Sequence, residues 1–455
     1  MLMNQLHKIQ NEIAMKWKGV FAVIGGFLIH LTLGTLYTFG NMNTYITSYM
    51  KKRVDHNIDY SQTIWVNAAA MFGQGSLMIV GGVLERFIGA RWTCLIGSVI
   101  FSGSVALTVF SIDKSFIAVV FTYGLSSSFG LGIAYIAPLA LGMKWFPNRK
   151  GLVNGIVVSG FGLGALIFNQ VQTTYLNPKN LVPDKNGYFE DDEILDRVPT
   201  VFLLLGGIYF ILQIIGVILL FSPQLEWNES YSNLLKSGNQ ETDNDDSSKE
   251  DLQLPAIDRS LKPSEIILKK EFYMLALTFA LIIQCVQFIN TMYKAYGQTF
   301  IDDDHFLSWV GSLASIFNSL GRIVWGQIQD KTSYRSCMLC LSGALSSLML
   351  SLIATSYDGK AMFTIWILGI FFTFSGLFVL LPTVTAQLFG PKYAGTNYGL
   401  LFIAQAISSI LGAFVIQILL SSLHWFGTFM LLATFAFSVG IITYFFPSKT
   451  DSYYS

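Results

Sequence analysis

Apolar runs of about twenty residues, separated by polar breaks, recur along this 455-residue chain. A run of that length is what an α-helix needs to cross a bilayer. Twelve are read. Six fall near 19–43, 61–83, 92–111, 115–142, 149–172 and 200–221, and six more near 272–297, 307–326, 337–355, 361–385, 395–420 and 424–446. Two breaks are long: 173–199, with the acidic run Glu190-Asp191-Asp192-Glu193, and 223–271, which is too polar to bury a core of its own. The pattern predicts an all-α membrane protein of twelve transmembrane helices in two six-helix bundles. The N-terminal half is 1–222, a cytosolic linker spans 223–271, and the C-terminal half with its short tail is 272–455. Residues 1–16 are polar and the first apolar run is too long for a cleavable leader, so it is expected to stay as helix 1.

Composition narrows the class. The chain is 53% hydrophobic and 12% charged, about half the charged share of an ordinary soluble domain. Twenty-eight basic residues balance twenty-eight acidic ones, so no net field steers the chain toward nucleic acid. Cys337-x-x-Cys340 has no second pair to complete a zinc site, and no metal or cofactor is expected. No nucleophile elbow, P-loop or His-Glu-x-x-His motif is found, so an enzyme is not expected. Gly151, Gly155, Gly160 and Gly164 are spaced for close helix packing rather than phosphate binding. Basic residues favour the breaks on the N-terminal side of the membrane, which places both termini in the cytosol. Lys51-Lys52-Arg53, in the first outer break, runs against that bias. No organelle signal is legible, and the plasma membrane is the default expectation.

The two halves repeat. Trp65-Val66 matches Trp309-Val310, Gly82 matches Gly326, Pro138 matches Pro382, Gly151 matches Gly395 and Gly155 matches Gly399, all at an offset of 244 residues. A parallel repeat of this kind places a site near the midplane between its halves.

Only two charged side chains lie clearly inside the predicted spans, and both are basic, Lys294 in helix 7 and Arg322 in helix 8, with no Asp or Glu within a span. An unpaired cation in a membrane costs at least ~2.5–3.5 kcal/mol. An anion that comes and goes is the natural partner, and a carboxylate matches the guanidinium fork. Arg322 has a structural alternative in helix-end carbonyls or Asp330, and Lys294 in reaching to the outer interface. Gln287, Asn290 and Lys294 share one face of helix 7, with Gln284 near it. His30, Tyr37 and Asn41 share one face of helix 1. His30 is the proton-coupling candidate, its alternative being a neutral packing role. Tyr135, Asn318 and Trp325 are further pathway candidates.

Residues 82–91, Gly-Val-Leu-Glu-Arg-Phe-Ile-Gly-Ala-Arg, resemble the loop signature of the major facilitator superfamily, with Gly82, Glu85, Arg86 and Arg91 in its key places. A second copy holds Gly326, Asp330 and Lys331. The resemblance implies that these residues latch the inner helix ends in one state of a transport cycle. Three stretches are similar to the oxalate/formate antiporter and monocarboxylate transporter branch: Phe146–Gly155 running on to Gly164, Phe317–Arg322 with Gly326 and Asp330, and Phe389–Gly399. By that resemblance Arg322 matches a substrate-binding arginine of helix 8, while Asn318 stands where monocarboxylate transporters carry a proton-linked aspartate. It implies a secondary active transporter of small mono- or dicarboxylates, often monomeric, coupled to protons or to a counter-anion. Two alternatives stay open: a transporter of a neutral or cationic solute, and a non-transporting membrane receptor of the same fold.

Overall fold

In a computed structural model the described residues are 2–58, 60–179, 181, 184, 188–223, 260–297, 299–301 and 303–447. They are helical almost throughout. Helix α1 runs Leu2–Leu33 and passes through a tighter turn, Gly34–Thr38, into Phe39–Arg53. The stretch Tyr60–Ser111 doubles back at Gly89, whose φ of 80° suits glycine, giving α2 before it and α3 after it. Then come α4 over Phe116–Trp145, α5 over Lys150–Leu176 and α6 over Asp192–Leu219. The second half holds α7 (Lys270–Gly297), α8 (Asp304–Lys331), α9 (Tyr334–Ser351) and α10 (Gly359–Phe389). The stretch Ala394–Tyr444 breaks at His424 into α11 and α12. Twelve long helices are thus present among the described residues, the number the apolar runs predict, and ten stretches of them are long and apolar enough to cross a membrane.

Several expected boundaries move. Gly82, Glu85 and Arg86 do not lie in a loop: α2 stays helical to Gly89, and the turn is a single glycine. The acidic run is not a free loop either. Asp191 caps α6, accepting from Glu193 and Ile194 N–H, and Asp192 and Glu193 form its first turn, where negative charge suits the helix dipole. This run also answers the misplaced basic cluster. Arg53 pairs with Asp192 at 2.9 Å and Asp196 at 3.0 Å, Lys52 reaches Asp192 at 3.2 Å, and Lys51 lies over the Tyr188 ring. Finally, a carboxylate does enter a span: Glu271, in the first turn of α7, is buried with Oε2 unpartnered. Most of the expected linker, 224–259, lies outside the described residues.

The halves meet along α5/α8 and α2/α11, and small residues make that possible. A Cβ on Gly155 would lie 2.5 Å from the Arg322 carbonyl oxygen, and one on Gly399 would lie 2.6 Å from Ile79 Cα. Gly151 and Gly326 abut backbone to backbone, as do Gly82 and Gly395. Helices in lipid gain little from apolar burial against one another, so close backbone approach supplies the attraction. The end carrying the two sequence motifs is closed further by charge. Asp330 at the end of α8 accepts from the N–H groups of Gly151 and Leu152 at 2.8 Å each, an anion on the N-terminus of α5. Arg86 on α2 lies over the Tyr393 ring beside the start of α11, at 4.7 Å. Glu85 turns back into its own half and pairs with Lys144 at 2.6 Å. Arg91 donates to the carbonyls of Ile218 and Leu220, capping α6. Lys331 ends α8.

The end of the linker is pinned to the same face. Leu261 N–H donates to the Phe389 carbonyl at 2.8 Å, and Asn397 Nδ2 donates to the Leu261 carbonyl at 3.2 Å. Gly390, with φ of 93°, leaves room for Ser260, which a side chain there would strike.

Gly155→Leu is expected to force α5 off α8 and lower the unfolding temperature in detergent by several degrees, because overpacking typically costs about 1–3 kcal/mol. Asp330→Asn keeps the shape and removes the charge, so its expected loss is smaller, on the order of 1 kcal/mol. Thermal unfolding of the purified variants checks both magnitudes and their order.

Candidate functional site

Arg322 sits on α8, one turn beyond its contact with Gly162, and is 1% exposed. Its guanidinium lies between two aromatic rings, 5.7 Å from the Phe161 centroid of α5 and 5.2 Å from the Phe378 centroid of α10. Both contacts are cation–π in kind. Nη1 donates to the Val158 carbonyl at 2.7 Å. Nε and Nη2 have no hydrogen-bond acceptor. Those two N–H groups share one edge of the planar fork, the geometry that grips both oxygens of a carboxylate. A single carbonyl therefore fixes the arginine and leaves one bidentate edge unmatched. Leaving charged donors unsatisfied in a buried site is costly, which sets Arg322 apart from a purely structural cation.

Side chains from four helices surround it. His30 of α1 is fully buried, and its Nδ1 lies 3.0 Å from the Gly26 carbonyl. A carbonyl only accepts, so Nδ1 carries the hydrogen and Nε2 of the neutral ring is a bare lone pair. Nε2 has no partner. The His30 ring meets Tyr135 of α4 edge-on at 4.7 Å, and Tyr135 in turn meets Phe161 at 5.7 Å and Phe402 of α11 at 5.9 Å. Tyr37 packs on the other side of Phe161 at 5.2 Å. His30, Tyr135 and Tyr398 lie within electrostatic reach of the guanidinium, and the Tyr37 hydroxyl lies next to it, short of full hydrogen-bond geometry with Nε or Nη2. Asn318, one turn before Arg322, is buried with Nδ2 directed at the Phe371 carbonyl and Oδ1 unpartnered.

The structure thus brings together Arg322, His30, Tyr37, Tyr135 and Asn318. It does not bring every expected residue to them. Gln284 donates to the Ser408 carbonyl at 2.7 Å, and Gln287 reaches α11 at Gly412, so this part of the α7 stripe serves the α7/α11 contact. Asn290 is half-buried farther along α7, and the Lys294 side chain lies outside the described residues. Asn41 donates to Gln172 and Thr173 of α5, and Trp325 Nε1 donates to the Phe372 carbonyl. Both are helix-to-helix ties. The Gly82, Glu85, Arg86, Arg91, Gly326, Asp330 and Lys331 set lies at the closed end, away from the guanidinium. Sequence reasoning missed Phe161, Phe378, Phe402 and Tyr398. Their only signal was an aromatic residue in an apolar run, which does not distinguish a site wall from ordinary packing.

Pro138 in α4 removes the N–H that would bond the Ala134 carbonyl, and Cys94 Sγ approaches that carbonyl at 3.7 Å instead. A further cavity lies between α1, α2, α3 and α4, lined by Thr35, Asn67, Phe101, Tyr123 and Ser127. It sits where α1 tightens at Gly34–Thr38 and α4 loosens at Val120–Ser126. Irregular backbone at membrane depth is tolerated where it is buried or faces such a space.

Because one edge of the guanidinium is unmatched, Arg322→Met is expected to leave the unfolding temperature unchanged or to raise it. Replacing a buried charged group by an apolar one of similar volume is often neutral or stabilising. A large loss of stability, measured without any added anion, would show that the charge is structural.

Comparison with known proteins agrees with this architecture. The family model for the Major Facilitator Superfamily matches residues 22–302 and 275–454. Apicoplast pyruvate carrier 1 of Toxoplasma gondii is 28% identical, over 89% of this chain and 84% of that protein. The oxalate:formate antiporter of Oxalobacter formigenes is 23% identical, over 70% of this chain and 67% of its own length. Among solved structures, the proton:xylose symporter XylE superposes with a TM-score of 0.64 at 13% identity, covering 97% of this chain and 98% of that one. The fold, the two-half repeat and the family match together settle the class: this chain is a multi-pass membrane transporter, not an enzyme, and it belongs to the Major Facilitator Superfamily.

Proposed function

We propose that the chain carries small carboxylates across its membrane by alternating access, with Arg322 as the carboxylate-binding residue. One observation carries the reading: the Nε–Nη2 edge of a buried guanidinium without an acceptor, in the middle of the bundle. Its relatives, a pyruvate carrier and an oxalate:formate antiporter, support the same class of solute. A cationic solute is repelled by such an edge, and a neutral one leaves its charge unbalanced.

The other roles follow from position. Tyr37, Tyr135 and Asn318 line the pathway beside Arg322. Asn290 lies farther along α7, and Lys294 on the same helix draws the anion in or holds a second charge, while Gln287 stays with the α7/α11 contact. His30 is the proton-coupling residue, its Nε2 lone pair being unpartnered in the same shell; exchange against a second anion is the alternative coupling. The Gly82–Arg91 and Gly326–Lys331 motifs latch one end of the bundle. With both termini cytosolic, that closed end is the inner one, and the chain works as a monomer in the plasma membrane.

The test is uptake of labelled pyruvate, lactate, formate and oxalate into proteoliposomes, either empty, preloaded with unlabelled anion, or under an inward proton gradient. Saturable uptake of at least one is expected, and the stimulating condition identifies the coupling. Arg322→Lys keeps the charge but loses the fork, and uptake is expected to fall at least about tenfold; Arg322→Gln is expected to abolish it. Undiminished uptake by folded Arg322→Gln protein would overturn the reading.

A further inference from the structure

A second unmatched polar group stands in the same shell and has no part in the reading so far. Tyr398, on α11 of the C-terminal half, is 1% exposed, and its hydroxyl has no hydrogen-bond partner. Its ring stands edge-on to Phe402 at 5.0 Å, and Phe402 packs on Tyr135. The charged and titratable groups within electrostatic reach of the Tyr398 hydroxyl are Tyr135, Arg322 and Tyr37. The neighbouring Asn397 bonds the linker, so the two adjacent side chains have different duties. A buried phenol normally finds a partner. Here the protein supplies none.

We propose that Tyr398 is a specificity-determining residue. With a carboxylate on the Nε–Nη2 edge of Arg322, its hydroxyl bonds the oxygen on the next carbon, so that 2-oxo and 2-hydroxy acids are selected over unsubstituted acids of equal length. The proposal rests on the carboxylate reading above and names the substrate class within it.

The chemistry of the shell favours Tyr398 over its neighbours for this task. Neutral His30 offers only a lone pair at Nε2, which cannot donate to a ketone. The Tyr37 hydroxyl lies next to the guanidinium itself, whereas the Tyr398 hydroxyl has no hydrogen-bond partner. A phenol both donates and accepts, so it suits a 2-oxo oxygen as donor and a 2-hydroxyl as either. A ligand without that oxygen buries the phenol unmatched. A site built to bond a ligand oxygen rejects the analogue lacking it more strongly than an apolar pocket rejects an added group. One neutral hydrogen bond corresponds to about tenfold in selectivity.

Uptake at low concentration is measured for pyruvate, lactate and propionate, with wild-type, Tyr398→Phe and Arg322→Lys protein in proteoliposomes. Wild type is expected to favour pyruvate and lactate about tenfold over propionate. Tyr398→Phe keeps the ring against Phe402 and is expected to erase the preference by lowering pyruvate and lactate uptake while propionate is unchanged. Arg322→Lys is expected to lower all three together. No preference in wild type, an unchanged preference in Tyr398→Phe, or an equal fall for all three acids in Tyr398→Phe each overturns the role of Tyr398 and leaves the carboxylate reading standing. If folded wild type takes up none of the three, the role of Tyr398 falls, and if it also takes up neither oxalate nor formate, the carboxylate reading falls with it.

Discussion

A guanidinium in the middle of a helical bundle must be stabilised locally, because no water or lipid headgroup reaches it. Arg322 is held by the Val158 carbonyl and by the faces of Phe161 and Phe378, and this sets much of what surrounds it. α5 must come close enough to present its backbone to α8, and glycine at Gly155 allows the approach. The rings that flank the charge come from α5 and α10, so three helices from both halves converge on one side chain. The arrangement stabilises the cation only in part, leaving the Nε–Nη2 edge without an acceptor.

The repeat explains the scaffold, and its breakdown explains the chemistry. At the 244-residue offset, glycines and prolines match, because both halves need the same close contacts and the same bends. The charged positions do not match. Arg322 falls where the first half has Met78, Glu85 where the second half has Gln329, and Arg86 where the second half has Asp330. The two seams at the closed end therefore differ. On one, the Asp330 carboxylate meets the positive N-terminus of α5. On the other, the Arg86 cation sits beside the start of α11, where the dipole is unfavourable, and rests on the Tyr393 ring instead. The α5/α8 seam thus has a charge–dipole contact that the α2/α11 seam lacks.

Much of this was legible in the sequence, for identifiable reasons. Twelve helices follow from twelve apolar runs, and Arg322 announces itself because charge in lipid is expensive. Helix ends were harder. Glu85 and Arg86 look like a loop by polarity, yet Lys144 and Tyr393 satisfy them without ending the helix. Lys51-Lys52-Arg53 looked misplaced because charge was counted along the chain, while Asp192 and Asp196 meet it in space. The polar stripe of α7 suggested a pathway, but Gln284 bonds Ser408, and periodicity alone does not separate a cavity from a polar helix contact. Tyr398 was invisible for the opposite reason: nothing in a one-dimensional pattern shows that a tyrosine's hydroxyl lacks a partner.

The placement of these contacts bears on how a ligand acts at a distance. The Arg322–Val158 bond and the Asp330 bonds to Gly151 and Leu152 span the same pair of helices, one at the middle and one at the end. Rocking that parts the closed end must break the Asp330 bonds and shift Arg322 relative to Val158. Without an anion, that shift strips the guanidinium of its one acceptor in a dry interior. With a carboxylate on its other edge, the charge is already balanced, and losing Val158 costs far less. On the proposed carboxylate reading, a ligand at Arg322 therefore lowers the cost of opening an end it does not touch, and the same balance resists opening when the site holds no anion.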